Sequence, residues 1–386
     1  MKSLDRKLAA IHAGPSGCRE FIIADAKDAD MGFGIGAPGK SPERHDAEVR
    51  MRTLAEYREQ IRQVIRQGVV DIVLMSASTS DQLALREQLF VNSEITPAVR
   101  ANDATDIYVF RGSRIPQEAA RPFRSASIDQ AQCGKVECND DERTGGVDLG
   151  LYSVTFNNDC ELDLETLTAY KGFREEAERK GFRHFLEVFN PNLPNVVSPE
   201  LLPHFINDVI ARTLAGVPAA GRPVFLKIPY PGPAALEELV QYDPHLVVGI
   251  LGGSSGTTRD AFQLIHDAQK YGARVALFGR KINHAEHQLA FIQFLRMIVD
   301  GNIGPEEATR AYHGVLEELQ IRPWRPLEED LQSTITASSY AGTSTKAKKP
   351  ATAPAANANG SKKLSEMTPT ERLEYHRARL KQELGE

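Results

Sequence analysis

At 386 residues, with 41% apolar and 25% charged residues, the chain is long enough for one large globular domain and something more. A formal net charge of −6 argues against a nucleic-acid-binding surface. No apolar run is long enough to span a bilayer and the N-terminal MKSLDRKLAA lacks a signal-peptide core, so the cytoplasm is the expected compartment. The four cysteines, Cys18, Cys133, Cys138 and Cys160, lack zinc-ligand spacing, and neither a metal nor a disulfide is expected of them.

The first predicted strand is 20–27, EFIIADAK. Alternation puts Ile23, Asp25 and Lys27 on one of its sides. Asp25, at the strand end, is a candidate for positioning substrate hydroxyls or moving protons; a solvated strand-end carboxylate is the plainer alternative. Asp25, Lys27 and Asp30 also fit D-x-K-x-x-D, which resembles a motif of the orotidine-monophosphate decarboxylase superfamily, but there it belongs on the third strand. Residues 34–41, GIGAPGKS, match the P-loop pattern letter for letter. A working P-loop needs a buried strand before it and a helix directly after it; DADMGF is a poor strand and Pro42 follows. A glycine-rich loop over the mouth of a barrel accounts for the same residues.

Helical spacing runs over 46–67 and Gly68 stops it. Strands are predicted at 71–77 and 96–103, with a helix at 81–90 between them. Residues 107–147 break the rhythm and predict an insertion on the catalytic face, a lid or an oligomer contact. Strand 150–157 and helix 163–180 follow. Strand 184–189, HFLEVF, carries Glu187 between Leu186 and Val188, where an unpaired carboxylate is costly; Lys227 on the next strand is its expected partner. A plain ion pair without chemistry is the alternative.

Three apolar runs then end in chemistry. VFLKIPYPG carries Lys227; an ammonium among apolar groups is disfavoured, and a neutral lysine amine attacks carbonyls to form a Schiff base. A lysine that merely caps the strand is the alternative. VVGILGGSSGTTRDAF places Gly252, Gly253 and Ser254 before a helix start, where backbone N–H groups bind anions. RVALFGRKI ends in Gly279 and Arg280, whose guanidinium suits the same phosphate. Helices are predicted at 199–214, 234–241, 257–271, 284–299 and 305–319. Eight strand–helix units give a (β/α)8 TIM barrel, an α/β fold that holds phosphate after strands seven and eight. His266, His284, His287 and His313 lie on helical segments and are expected at the surface, not as metal ligands.

LKIPYPG, GGSSGTTRDAF and LFGRKI followed by FLRMIVDG resemble the last three strands of class I, Schiff-base aldolases, the archaeal-type fructose-bisphosphate enzymes first and the tagatose-bisphosphate type further off. The likeness covers roughly the last three barrel units. It implies that Lys227 forms the iminium and that Gly252, Gly253, Ser254, Gly279 and Arg280 bind phosphate. It also implies an acidic residue at the end of strand one, matched by Asp25; Lys27, two residues on, is a further candidate substrate-binding group. The archaeal type carries a tyrosine proton donor where Phe189 stands here; the tagatose-bisphosphate type uses a glutamate on this strand, matched by Glu187. The implied function is a class I aldolase-like lyase acting on a phosphorylated ketose or related carbonyl compound, with no metal or organic cofactor. Two alternatives are a decarboxylase or isomerase led by Lys27, and a non-catalytic scaffold that binds a phosphorylated ligand.

The expected divisions are a barrel over 1–326, a flexible linker over 327–363 and an amphipathic helix over 364–386. Residues 333–363 are too polar and too rich in Ala, Ser, Thr, Pro and Lys to bury a core. Thr368-Pro369-Thr370-Glu371 is a capping box, and Leu373, Leu380 and Leu384 follow. This arrangement resembles the encapsulation peptides that recruit enzymes to bacterial microcompartment shells, which would be its partner; a frayed tail or oligomer contact is the alternative. The remaining expected partners are a phosphorylated small molecule and further copies of the chain in a homo-oligomer, with no nucleic acid or membrane.

Overall fold

The computed structural model describes residues 1–14, 17–41, 50–143, 145–253 and 256–334. All lie within the compact unit Met1–Thr343. Eight parallel strands form the centre: β1 (Ile22–Lys27), β2 (Ile72–Met75), β3 (Thr96–Arg100), β4 (Leu149–Thr155), β5 (Arg183–Phe189), β6 (Leu226–Lys227), β7 (Gly249–Leu251) and β8 (Val275–Phe278). Their order is β6-β5-β4-β3-β2-β1-β8-β7. Bonds from Leu226 N to Val247 O and from Ile228 N to Gly249 O, with the Ile228–Ile250 bridge, join the two ends. The expected (β/α)8 barrel is the fold. β6 is short because Pro229 and Pro231 follow it and neither has an N–H to donate.

Alternation along each strand makes two cores. Ile22, Ala24, Ala26, Ile72, Leu74, Ala98, Leu149, Leu151, Phe185, Phe225, Val275 and Leu277 fill the barrel interior. Their neighbours, including Ile23, Val73, Val99, Tyr152, Val154, Leu186, Leu226 and Ile250, face the helices. An N-terminal helix absent from the sequence expectations, α1 (Ser3–Ala13), plugs the floor with Leu4, Leu8 and Ile11. Lys7 ties it down through Asp71 at 2.9 Å and the Phe21 carbonyl at 2.8 Å.

The outer layer contains α2 (Leu54–Gln67), α3 (Ile128–Cys133), α4 (Cys160–Arg179), α5 (Leu202–Ala215), α6 (Pro233–Tyr242), α7 (Thr258–Lys270), α8 (Arg280–Asn283), α9 (Gln288–Val299) and α10 (Pro305–Glu318). α2 begins later than its hydrophobic spacing predicts. Thr53 and Glu56 form a reciprocal capping box, and Met51 before it pairs with Lys40 as extended chain. Residues 42–49 lie outside the described residues. The P-loop look-alike is preceded by a helical turn, Asp30–Phe33, not by a strand, and itself opens as a 3-10 turn, Gly34–Gly36. Its Gly39 packs on α8: a Cβ there would lie 2.7 Å from the Asn283 carbonyl.

The insertion and the residues that lead into it divide the work. Asn102 bonds both backbone groups of Ser153, through its Nδ2 at 2.8 Å and its Oδ1 at 2.6 Å, and so extends the β3–β4 ladder with a side chain. A short hairpin, Asp103–Ala104 with Pro122–Phe123, then carries a loop across the barrel mouth, where Val109 N donates to Gly32 O at 3.1 Å. Next, α3 takes its place in the outer layer through Ile128 and Ala131. Cys133 and Cys138 are disulfide-bonded, against expectation. Judging their spacing against metal ligands missed the local turn: Gly134 adopts φ 76° after α3 and sends the chain back on itself.

The chain stays packed beyond 326. In α11 (Leu327–Asp330), Asp330 is buried; it accepts from Thr258 N at 2.8 Å and pairs with His313 Nε2 at 2.9 Å. Thr334 Oγ1 donates to Asp260 at 2.6 Å. His313 is therefore part of the packing, as is His287, whose Nδ1 caps α9. The rest of the expected linker from 335, and the helix 364–386, lie outside the described residues. No helix among the described residues is long and apolar enough to cross a membrane.

Candidate active site

Strand phase builds the site. Phe185 and Phe225 point into the barrel, so Glu187 and Lys227, two residues further along β5 and β6, do so as well. The register sets Glu187 opposite Lys227 and Ser153 opposite Glu187. Glu187 Oε1 meets Lys227 Nζ at 2.5 Å. Its Oε2 accepts from Ser153 Oγ at 2.6 Å and faces Arg100 Nη2 at 3.5 Å. Arg100, inward on β3, donates through Nε to Asp28 at 2.6 Å and through Nη1 to Ser153 at 3.0 Å.

The result is a chain of alternating charge, Asp28–Arg100–Glu187–Lys227, at the C-terminal ends of the strands. Each member is at most 7% exposed. Burial on this scale is tolerable only because every charge has an opposite neighbour. Burial alone would raise Asp28, but Arg100 and Lys227 overcome it and hold its carboxyl below the ordinary range.

Sequence reasoning found Glu187, Lys227 and their pairing. It missed Asp28, Arg100 and Ser153. Arg100 ends the apolar run of β3 as Lys227 ends that of β6, so the same signal was present.

Asp25 and Lys27 are not brought to this cluster. They share the phase of Ile23 and lie between β1 and the helices, fully buried, with 3.3 Å between Lys27 Nζ and Asp25 Oδ2. Lys27 donates to Asn283 at 2.6 Å and to Gln288 at 3.0 Å, and stands over the Tyr57 ring. Burial pushes Asp25 up to about 6 and Lys27 down, so both are driven towards their neutral forms. Lys27 thus braces α8 from behind the barrel wall.

The turns after β7 and β8 do converge. Gly252 N donates to Leu277 O at 2.7 Å. A Cβ on Gly252 would lie 2.2 Å from the Phe278 ring, so only glycine allows that approach. Gly253 follows at φ 62°; Ser254 lies outside the described residues. Gly279 precedes α8, whose first residue is Arg280. The Arg280 guanidinium stands over the Phe33 ring at 5.4 Å and makes no hydrogen bond or ion pair among the described residues. Burial lowers it, and the negative charge of Glu187 acts against that. Next to it, Lys281 bonds the carbonyls of Gly256 at 2.6 Å and Thr257 at 3.1 Å and locks the two turns together. Burial brings Lys281 down to about 8.

Two further carboxylates stand at the mouth. Asp30 accepts from Ser76 at 2.6 Å and Asp106 from Thr155 at 2.7 Å. In each, the other oxygen is buried and meets no donor among the described residues. Burial raises both above the ordinary carboxylate range.

The protein is thus a (β/α)8 barrel with a buried lysine–carboxylate network at the C-terminal ends of its strands. Its neighbours among solved structures are class I fructose-bisphosphate aldolases. A Schiff-base-forming fructose-1,6-bisphosphate aldolase, studied through its reaction intermediates, aligns over 76% of this chain and 99% of its own at 15% identity and a TM-score of 0.55. An archaeal fructose-1,6-bisphosphate aldolase with its catalytic lysine bound to the carbinolamine intermediate aligns over 76% and 99%, at 13% and 0.54. The fructose-bisphosphate aldolase of Slackia heliotrinireducens aligns over 81% and 91%, at 14% and 0.58. Likeness at such identities establishes the fold. No protein-family model matches the chain, and no curated protein matches it.

Proposed function

We propose that this barrel is a class I aldolase-like lyase that forms a Schiff base through Lys227 with a phosphorylated ketose or related carbonyl compound. One observation carries this reading: Lys227 stands inside the barrel, at the strand end, with a carboxylate 2.5 Å from its amine. Passing a proton from Lys227 to Glu187 leaves a neutral amine that attacks the substrate carbonyl. The same carboxyl then returns a proton to the departing hydroxyl, and water and an iminium result. Asp28 and Arg100 hold Glu187 in place and balance its charge. The iminium draws electrons from the adjacent carbon while a C–C bond breaks or forms. The turns after β7 and β8 converge at this end of the barrel, tied by Lys281, and that convergence supports a phosphorylated substrate, whose phosphate Gly252, Gly253, Gly279 and Arg280 would hold. The solved neighbours supply a precedent for the chemistry on this fold: one bears a Schiff-base aldolase's name and another a carbinolamine on its lysine.

The test is reductive trapping. Incubation with dihydroxyacetone phosphate and borohydride is expected to add one triose phosphate to Lys227, mapped by peptide mass. No adduct in the wild type, or equal labelling of Lys227→Arg, would sink the reading.

A further inference from the structure

Retro-aldol cleavage needs more than an iminium. The hydroxyl on the carbon that becomes the aldehyde must lose its proton, and a base must stand near it. Glu187 is poorly placed for this second task, because Oε1 is engaged by Lys227 and Oε2 by Ser153 and Arg100. Asp28 is tied to Arg100 and held as a weak base.

We infer that Asp106, on the loop after β3, is the base that takes the hydroxyl proton of the substrate bound at Lys227. This inference rests on the Schiff-base reading. Thr155 lies two residues beyond Ser153 on β4 and shares its inward phase. It fixes Asp106 Oδ2 at 2.7 Å, about 6–7 Å of strand rise above the Ser153–Glu187 contact and on the mouth side of it. Asp106 Oδ1 is left buried without a donor among the described residues, a costly state that a substrate hydroxyl would relieve. The charged groups that act on Asp106 are Glu187 of β5 and Arg100 of β3. Burial, with Glu187 assisting, raises its proton affinity, while Thr155, the backbone N–H of Asp106 itself and Arg100 restrain the rise. Asp30 also has a free oxygen, but it is held by Ser76 next to β2, away from β4 to β6.

The step balances. The O–H proton goes to Asp106 Oδ1, and the oxygen's electron pair becomes the aldehyde C=O. The C–C bond breaks, and its electrons form the enamine C=C as the iminium nitrogen becomes neutral. The aldehyde leaves, the enamine takes a proton on carbon, Asp106 discharges its own to solvent, and water frees Lys227.

The experiment separates enamine formation from C–C chemistry in the full-length protein. Wild type and Asp106→Asn are compared for borohydride trapping with dihydroxyacetone phosphate, for deuterium exchange at its C3 in D₂O, and for condensation with glyceraldehyde 3-phosphate. Trapping and exchange should persist in the variant while kcat for condensation falls about 100-fold or more. Thr155→Val, which removes the donor that restrains Asp106, should shift the acidic limb of the pH profile for fructose 1,6-bisphosphate cleavage upward, because cleavage uses Asp106 as the unprotonated base. Unchanged condensation in Asp106→Asn, a parallel loss of trapping and condensation, or an unmoved limb in Thr155→Val would each overturn the assignment of Asp106. Absence of trapping in the wild type would instead remove the Schiff-base reading, and this inference with it.

Discussion

The charge chain makes a quantitative prediction about the pair at its end. Asp28, Arg100, Glu187 and Lys227 sum to zero, and Glu187 is 1% exposed. Glu187→Gln leaves one uncompensated positive charge and removes the 2.5 Å contact to Lys227. Breaking one side of a buried pair costs about 3–5 kcal/mol. Lys227→Met should lie at the lower end, about 3 kcal/mol, because Glu187 keeps Ser153 at 2.6 Å and Arg100 at 3.5 Å. The double variant restores neutrality and removes both desolvation penalties, so its loss should be smaller than the sum of the two by at least about 2 kcal/mol. Urea unfolding of the four proteins at neutral pH measures the coupling, and repetition in high salt should leave it nearly unchanged, since buried pairs are weakly screened. Additivity within about 0.5 kcal/mol would show that Glu187 and Lys227 do not depend on each other.

Arg280→Ala should raise KM for a phosphorylated substrate by the equivalent of about 1.5–3 kcal/mol, with much less effect on an unphosphorylated analogue; equal effects on both would take Arg280 out of the phosphate site. Asp330→Ala should destabilise the barrel by about 1–2 kcal/mol at neutral pH, as thermal or urea unfolding can show, because it takes the acceptor from the first N–H of α7 and strands His313. Burial alone would raise Asp330, but the bonds from His313 and Thr258 overcome it and hold its folded pKa below the ordinary value. Its contribution is therefore full above the unfolded value of about 3.9 and fades as pH falls through the folded one, so the gap between wild type and variant should close in acid.

The barrel was legible because each unit repeats the same signals: a short apolar run, a polar turn, a helix-spaced segment and a stop. What lay outside that rhythm was not. The spacing of Leu4, Leu8 and Ile11 is helical, but nothing in an isolated N-terminal segment says that it plugs a barrel floor. The boundary at 326 came from composition; the packing of 327–334 depends on single polar contacts, Asp330 to Thr258 and Thr334 to Asp260, which composition does not reveal.

The site shows the sharper limit. Lys227 and Glu187 were visible because a charge inside an apolar strand needs a partner, and neighbouring strands supplied one. The same rule pointed equally to Asp25 and Lys27, and there it named a brace. Both faces of a barrel strand are buried, so hydrophobicity alone cannot tell which face looks down the barrel axis. In β1 the answer lies in Ala24 and Ala26, which join the interior, while Ile23 packs against the helices. That phase carries Asp28, not Asp25, to the mouth. A one-residue change of phase therefore separates the buried Asp25–Lys27 pair, whose lysine steadies α8, from a carboxylate within the charge network of Lys227. Candidate residues on such strands have to be chosen by parity with the interior set before their chemistry is weighed.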